Sequence, residues 1–122
     1  MPNKNFIGED GFIHNVYEGD QSAQTLTQVE EELPKLTRKL RQDGKKVLVL
    51  SDISNLGRIS LPGRIMGARI IKNLDYDKAA IFGPSHLERS VIEVIANVAG
   101  RGFSLKYFND EKSAIDWLTE NK

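Results

Sequence analysis

The residues with the most chemistry to offer follow two apolar runs. Asp52, Ser54, Asn55, Arg58, Ser60 and Arg64 come after Val47-Leu48-Val49-Leu50, and Gly83, Ser85 and His86 come after Ala79-Ala80-Ile81-Phe82. Such groups beyond the carboxyl ends of strands can hold an anion such as a phosphate or carboxylate, helped by backbone N–H groups at helix starts. The same residues have plain structural roles. Asp52 and Ser54 make turn bonds, Ser85 caps a helix, and the arginines are solvated. No glycine-rich phosphate loop tips the balance toward a ligand. An enzyme on this surface would need Asp52, Ser54 and His86 to converge. Ser85 and His86 are not themselves a nucleophile and its base. Neighbours at a helix start point in different directions, and no third group orients the imidazole. Asp52 also invites comparison with a phosphate-accepting receiver aspartate, but the acids and the lysine such a site needs are absent, since the first strands end at Tyr17-Glu18 and the last at Phe108-Asn109.

Composition narrows the classes. The chain has 122 residues, 39% hydrophobic and 28% charged, which predicts one globular domain over residues 1–122. Seventeen basic and seventeen acidic residues give a formal net charge of zero, which argues against a nucleic-acid partner. With no cysteine there is no disulfide framework, thiolate metal site or cysteine nucleophile, and with two histidines, His14 and His86, a histidine metal site is not expected. No cofactor is implied. No apolar run approaches the ~20 residues that span a bilayer, and the polar, acid-bearing start is unlike a signal peptide, so the expectation is a cytoplasmic protein with no integral membrane segment.

The elements that position these residues are readable. Residues 5–17 predict a hairpin, with Asp10-Gly11 as the turn between β-prone runs. Phe12, His14 and Val16 then share one face, and Ile13, Asn15 and Tyr17 the other. His14 reads as a packed or surface histidine. Glu18-Gly19-Asp20 breaks the strand, and Asp20, or else Thr25 with Gln28, caps the next helix. Leu26, Val29, Leu33, Leu36 and Leu40 form one helical face, and Glu30 to Glu32 precede Lys35, Arg38, Lys39 and Arg41 in the order the helix dipole favours. Pro34 predicts a kink or a split, and Asp43-Gly44 the end. Val47 to Leu50 reads as a central strand covered on both faces, and 51–58 as a loop. Ser60 caps a helix that has Pro62 in its first turn and runs to about Asn73. Its Gly63 and Gly67 either admit a neighbouring backbone or are tolerated at a packed crossing. Residues 78–82 are a strand. Ser85 and Glu88 form a capping box for a helix ending at Ala99, and Gly100 stops it. Residues 103–108 make the last strand, and Asn109 or Asp110 caps a final helix through Ala114, Trp117 and Leu118. The order β-β-α-β-α-β-α-β-α predicts a largely parallel sheet whose antiparallel part is the hairpin.

Three stretches together carry a resemblance. They are Val-Leu-Val-Leu-Ser-Asp-Ile-Ser at 47–54, Asp-Lys-Ala-Ala-Ile-Phe-Gly at 77–83, and Tyr-Phe-Asn-Asp-Glu-Lys-Ser-Ala-Ile-Asp-Trp-Leu at 107–118. The chain resembles the bacterial SpoIIAA-like family, relatives of the STAS domain, also compared with the CRAL-TRIO lipid-carrier fold. The resemblance implies an α/β fold with a mixed four- or five-stranded sheet flanked by about four helices, and a non-enzymatic regulatory or binding role. STAS antagonists are switched by phosphorylation of a serine in an Asp-Ser-Ser-Gly turn. Here the turn falls at Ile59-Ser60-Leu61-Pro62-Gly63, which keeps Ser60 but lacks the acid and the second serine. A helix N-cap is the simpler role for Ser60.

The helix at 87–99 is broadly apolar. Leu87, Val91, Val94, Ile95 and Val98 form a stripe that Ile92, Ala96 and Ala99 widen. Such a helix is either deeply packed or leaves an apolar surface for self-association or a ligand. The leading expectation is a regulatory module acting through a protein partner, with dimerisation as one form of that. The alternatives are a carrier of an apolar or lipid-like molecule, which requires a cavity of at least a few hundred Å³, and the small enzyme described above.

Overall fold

The computed structural model describes residues 3–83, 86–102 and 104–120, with the backbone alone at 86–89. Side-chain alternation along five strands builds two cores. The strands are β1 (Lys4–Ile7), β2 (Ile13–Gln21), β3 (Leu48–Ile59), β4 (Lys78–Phe82) and β5 (Leu105–Phe108), and they lie side by side in chain order. β1 is antiparallel to β2 and every later pair is parallel. The sheet therefore has five strands and is mixed.

Four helices cover it: α1 (Ala23–Gln42), α2 (Leu61–Asn73), α3 (His86–Val98) and α4 (Glu111–Leu118). Ile13, Val49, Ala79 and Leu105 lie in one cross-strand row and so face one way. They pack with Val29 and Leu33 of α1, Ile70 of α2, and Ile92 and Ala96 of α3. On the other face Leu50, Ala80 and Phe82 meet Ala114 and Leu118 of α4, together with Phe12 from the hairpin turn. Lys78 steadies α4, its Nζ donating to the Trp117 carbonyl at 2.9 Å and standing 4.7 Å from the centre of the indole ring. α4 packs over β3, β4 and β5. Over the hairpin on this face, Phe6 is 45% exposed and stacks on His14 at 5.0 Å, and His14 Nε2 meets Asp10 at 2.9 Å.

Several expectations need correcting. β3 runs on to Ile59, so 51–58 is strand rather than loop. β2 likewise continues to Gln21, and the cap of α1 is Ser22, whose side chain accepts from the Thr25 N–H while the Thr25 hydroxyl accepts from the Ser22 N–H. Asp20 is thus a strand residue and does not cap. Pro34 lies inside one unbroken α1, and the Thr37 hydroxyl donates to its carbonyl at 2.9 Å. The length of the amphipathic face, with Leu26, Val29, Leu33 and Leu40 buried, outweighs the one hydrogen bond the proline forfeits. The capping box at Ser85 lies outside the described residues. β5 begins at Leu105 rather than 103.

One ion cluster ties the end of α1 to the entry of β4. Arg41 donates to Asp75 and, through Nη1, to Asp77 at 3.0 Å, and Asp77 Oδ2 also accepts the Val47 N–H at 2.8 Å. Partial burial pushes the Asp77 carboxyl up, but the bonds from Arg41 and Val47 outweigh it and hold the group below its ordinary range. A depressed carboxylate stabilises the fold above its unfolded pKa and loses that effect as pH falls through the folded value. Asp77→Ala is expected to cost about 1–2 kcal/mol near neutral pH, chiefly because the fully buried Val47 loses its acceptor. In urea titrations the difference from wild type should begin to narrow below about pH 4, where the unfolded carboxylate protonates, and level off once the depressed native carboxylate has protonated too.

Candidate functional site

The irregular pairing of β2 with β3 sets the geometry of the site. Val16 pairs with Asp52 and Glu18 with Asn55, so Ile53 and Ser54 together oppose Tyr17. Gly19 pairs with Leu56 and Gln21 with Ile59, so Gly57 and Arg58 together oppose Asp20. Each is a bulge, and each is held by an aspartate. Asp52 Oδ1 accepts the Ser54 N–H at 2.9 Å, and Asp20 Oδ1 accepts the Arg58 N–H at 2.8 Å. Gly57 is required here, since a Cβ would collide with the Asp20 carboxylate. Beyond Asp52, the last β3 residue paired with β4, the two strands continue as a ribbon.

α1 and α2 both start from the tip of that ribbon, capped by Ser22 and Ser60, and neither has an acidic residue in its first turn. The Ser60 Oγ accepts the Gly63 N–H at 3.1 Å, and the Ser60 N–H donates to the Gln21 carbonyl at 3.0 Å. Two helix N-termini therefore stand close together with no acidic residue in either first turn, the Asp20 carboxylate lying two residues before Ser22. An open groove between them is lined by Asp20, Gln21, Ser22, Arg58, Ser60 and Arg64, with Ile59 and Val91 at its base. Arg64 Nε donates to the Ile59 carbonyl, and among the described residues neither Arg58 nor Arg64 makes an ion pair. Beside the groove α2 exposes Leu61 by 70% and Ile65 by 68%.

The structure brings Arg58, Ser60 and Arg64 together. Asp52 and Ser54 are set apart at the end of the β3–β4 pairing, Asp52 opposite Phe82 and the Ser54 N–H beside Gly83. Both Asp52 and Ser54 are committed to the first bulge. Ser85 lies outside the described residues, and His86 opens α3 with only its backbone described. The apolar set on α3 divides by helical angle. Ile92 and Ile95 turn into the core at 7% and 8% exposure, which removes them from any interface, and Val91 is half-buried at the groove. Val94 and Val98 face solvent, and the side chain of Leu87 is outside the described set. Asp20 and Gln21 were missed as groove residues because their partners, the Arg58 and Ser60 N–H groups, lie more than thirty residues away; Ser22 has a local partner in Thr25 and was passed over for Asp20 as the cap.

A second feature lies under the helices. A cavity of about 90 Å³ separates the inner face of the sheet from α1, α2 and α3. Its walls are apolar, with Ile53, Leu56, Ile70 and Ile95 among them, and one end is polar. There Asn5, Asn15 and Ser51 occupy a single cross-strand row. The Ser51 hydroxyl donates to Asn15 Oδ1 at 3.0 Å, Asn15 Nδ2 to Asn5 Oδ1 at 2.6 Å, and Asn5 Nδ2 to Glu32 Oε1 at 2.8 Å. The Tyr17 hydroxyl also bonds to the Asn15 side chain, and burial pushes its pKa up to about 12. The cavity falls short of the few hundred Å³ a lipid carrier needs.

Among the described residues no three His, Cys, Asp or Glu side chains cluster to hold a metal, and no helix is long and apolar enough to cross a membrane.

The sheet order and the division of helices, three on one face and one on the other, define a STAS-like α/β domain. A SpoIIAA-like family model matches residues 13–119, and the chain belongs to that family. Two solved structures share the fold. One is an uncharacterised protein with a SpoIIAA-like fold from Shewanella loihica, at 19% identity and a TM-score of 0.67, covering 95% of this chain and 91% of the other. The other is the anti-sigma factor antagonist SpoIIAA in its unphosphorylated form, at 11% identity and a TM-score of 0.62, covering 97% and 98%. No curated protein matches the chain in sequence.

Two stability outcomes follow from this geometry. Ser60→Ala removes the α2 cap and should cost about 1 kcal/mol in urea unfolding, whereas Ser60→Asp keeps an acceptor for the Gly63 N–H and should stay near wild type. Gly67→Ala should stabilise by about 1 kcal/mol, because alanine is the better helix former and its methyl would meet Ile95 at an ordinary 3.8 Å.

Proposed function

We propose that this chain is a non-enzymatic regulatory module that acts by docking a protein partner on the face formed by the start of α2 and the β2–β3 ribbon. The observation that carries this reading is the pairing of Arg58 and Arg64, free of ion pairs among the described residues, with the exposed Leu61 and Ile65. Two helix N-termini with no acid in their first turns add positive potential there, set against the single carboxylate of Asp20 in the groove lining. A surface of this kind fits a partner segment that presents acidic side chains around an apolar anchor. Membership of the SpoIIAA-like family, and a fold shared with an anti-sigma factor antagonist, support a regulatory role.

The residues argue less well for catalysis. The Asp52 carboxylate holds the backbone N–H of Ser54, a bond that fixes the bulge rather than activating a hydroxyl. Ser60 is spent on its cap, although its exposed position leaves it open to a modifying enzyme.

The test is site-specific photocrosslinking in the source cell, with the crosslinker at Leu61 and a control at Lys112 on α4. One dominant adduct from position 61 alone is expected, and Arg58→Glu with Arg64→Glu should reduce it at least tenfold. An adduct of twice the chain mass would make the partner a second copy. Equal labelling from both positions, or indifference to charge reversal, would remove the proposed surface.

A further inference from the structure

We propose that the cavity between the inner face of the sheet and α1, α2 and α3 is a binding site for a compact, uncharged organic molecule bearing one hydroxyl or carbonyl group. This proposal is independent of the docking surface and survives its failure.

Three observations carry it. First, the size is that of a small molecule. Native interiors hold few voids larger than a water, yet this one measures about 90 Å³. A cavity of ~150 Å³ accommodates benzene with its six heavy atoms, so the occupant here has roughly three or four heavy atoms. Second, among the described residues no charged side chain lines the cavity, so an ion would enter without compensation. Third, its polar end retains hydrogen-bonding capacity. A hydroxyl offers one donor and two acceptor positions. Ser51 uses its donor on Asn15 and keeps its lone pairs. Tyr17 lines the same end of the cavity, and its hydroxyl can both donate and accept. An apolar body with one polar group is the shape that satisfies both ends.

Glycine on α2 keeps the space open. Gly67 faces Ile95, and a methyl there would sit 3.8 Å from the isoleucine carbons without a clash. Alanine would fit, lengthen no bond and improve the helix, yet the position carries no side chain.

The test uses methyl NMR on the full chain, reading Ile53, Ile70 and Ile95 during titration with 2-propanol, isobutane and 1-octanol. 2-Propanol, with four heavy atoms, should give saturable shifts at these methyls. Tyr17→Phe should weaken it about tenfold, the worth of one hydrogen bond, and leave isobutane unchanged. Gly67→Ala should abolish both while its spectrum stays that of a folded protein. If Tyr17→Phe perturbs the fold, Ser51→Ala supplies the same comparison. Absence of any saturable shift up to the solubility limit would overturn the proposal and make the cavity a packing void. Equal binding of alcohol and hydrocarbon in wild type would overturn the polar anchor. Tighter binding of 1-octanol, unaffected by Gly67→Ala, would overturn the compact ligand in favour of a chain-shaped one.

Discussion

Two extra backbone N–H groups on β3, each taken by an aspartate, are the constraint on which the rest of the functional face depends. A parallel pair of regular strands would leave β3 in register with β2 to its end. The bulges at Ile53-Ser54 and Gly57-Arg58 insert two residues, and without Asp52 and Asp20 those N–H groups would have no acceptor on the partner strand. The result is a ribbon that carries Gln21 and Ile59 to the same tip. From that tip both α1 and α2 begin, and the Ser60 N–H closes onto the Gln21 carbonyl. The groove between the helix starts and the Leu56 and Ile59 wall of the cavity are two products of the same irregularity.

The polar row beneath α1 is a different kind of constraint. Asn5, Asn15 and Ser51 form a polar row on the helix-covered face of the sheet, with the bonded pair Asn3 and Gln21 also buried, and every one of them finds a partner. Among the described residues no buried side-chain nitrogen or oxygen lacks one. An interior amide with its partners removed is costly, so this row fixes the register of β1, β2 and β3 more narrowly than hydrophobic contact would. Glu32 on α1 closes the chain and sets the helix against the hairpin.

Most of the fold was legible in the sequence. The alternation of Phe12, His14 and Val16 against Ile13, Asn15 and Tyr17, the Ser60 and Asp110 caps, and the apolar run at 47–50 are local signals, and each matches its element. The second half of β3 was not legible. Ser-Asp-Ile-Ser-Asn-Leu-Gly-Arg has the composition of a turn, and it has that composition because bulges use the same residues as turns: short acceptors and a glycine. Of the candidate site, Arg58, Ser60 and Arg64 were legible from their place after a central strand. Asp20 and Gln21 were not, because what places them is a register shift that no local window contains. The broad apolar stripe of α3 was visible, but the separation of Ile92 and Ile95 from Val94 and Val98 needed the helix axis to be fixed first.

The strict chain order of the sheet bears on how the protein is made. Each strand docks beside its predecessor, and the parallel pairings begin between residues only 36, 30 and 26 apart, at Ile13 with Val49, Leu48 with Lys78, and Ala79 with Leu105. Nothing at the carboxyl end must reach back to the first strand to complete the sheet. Loop-closure entropy is therefore met in short instalments. A ribosome-bound chain can assemble the hairpin, α1 and β3 into a packed unit, then add each later helix and strand to a surface already formed.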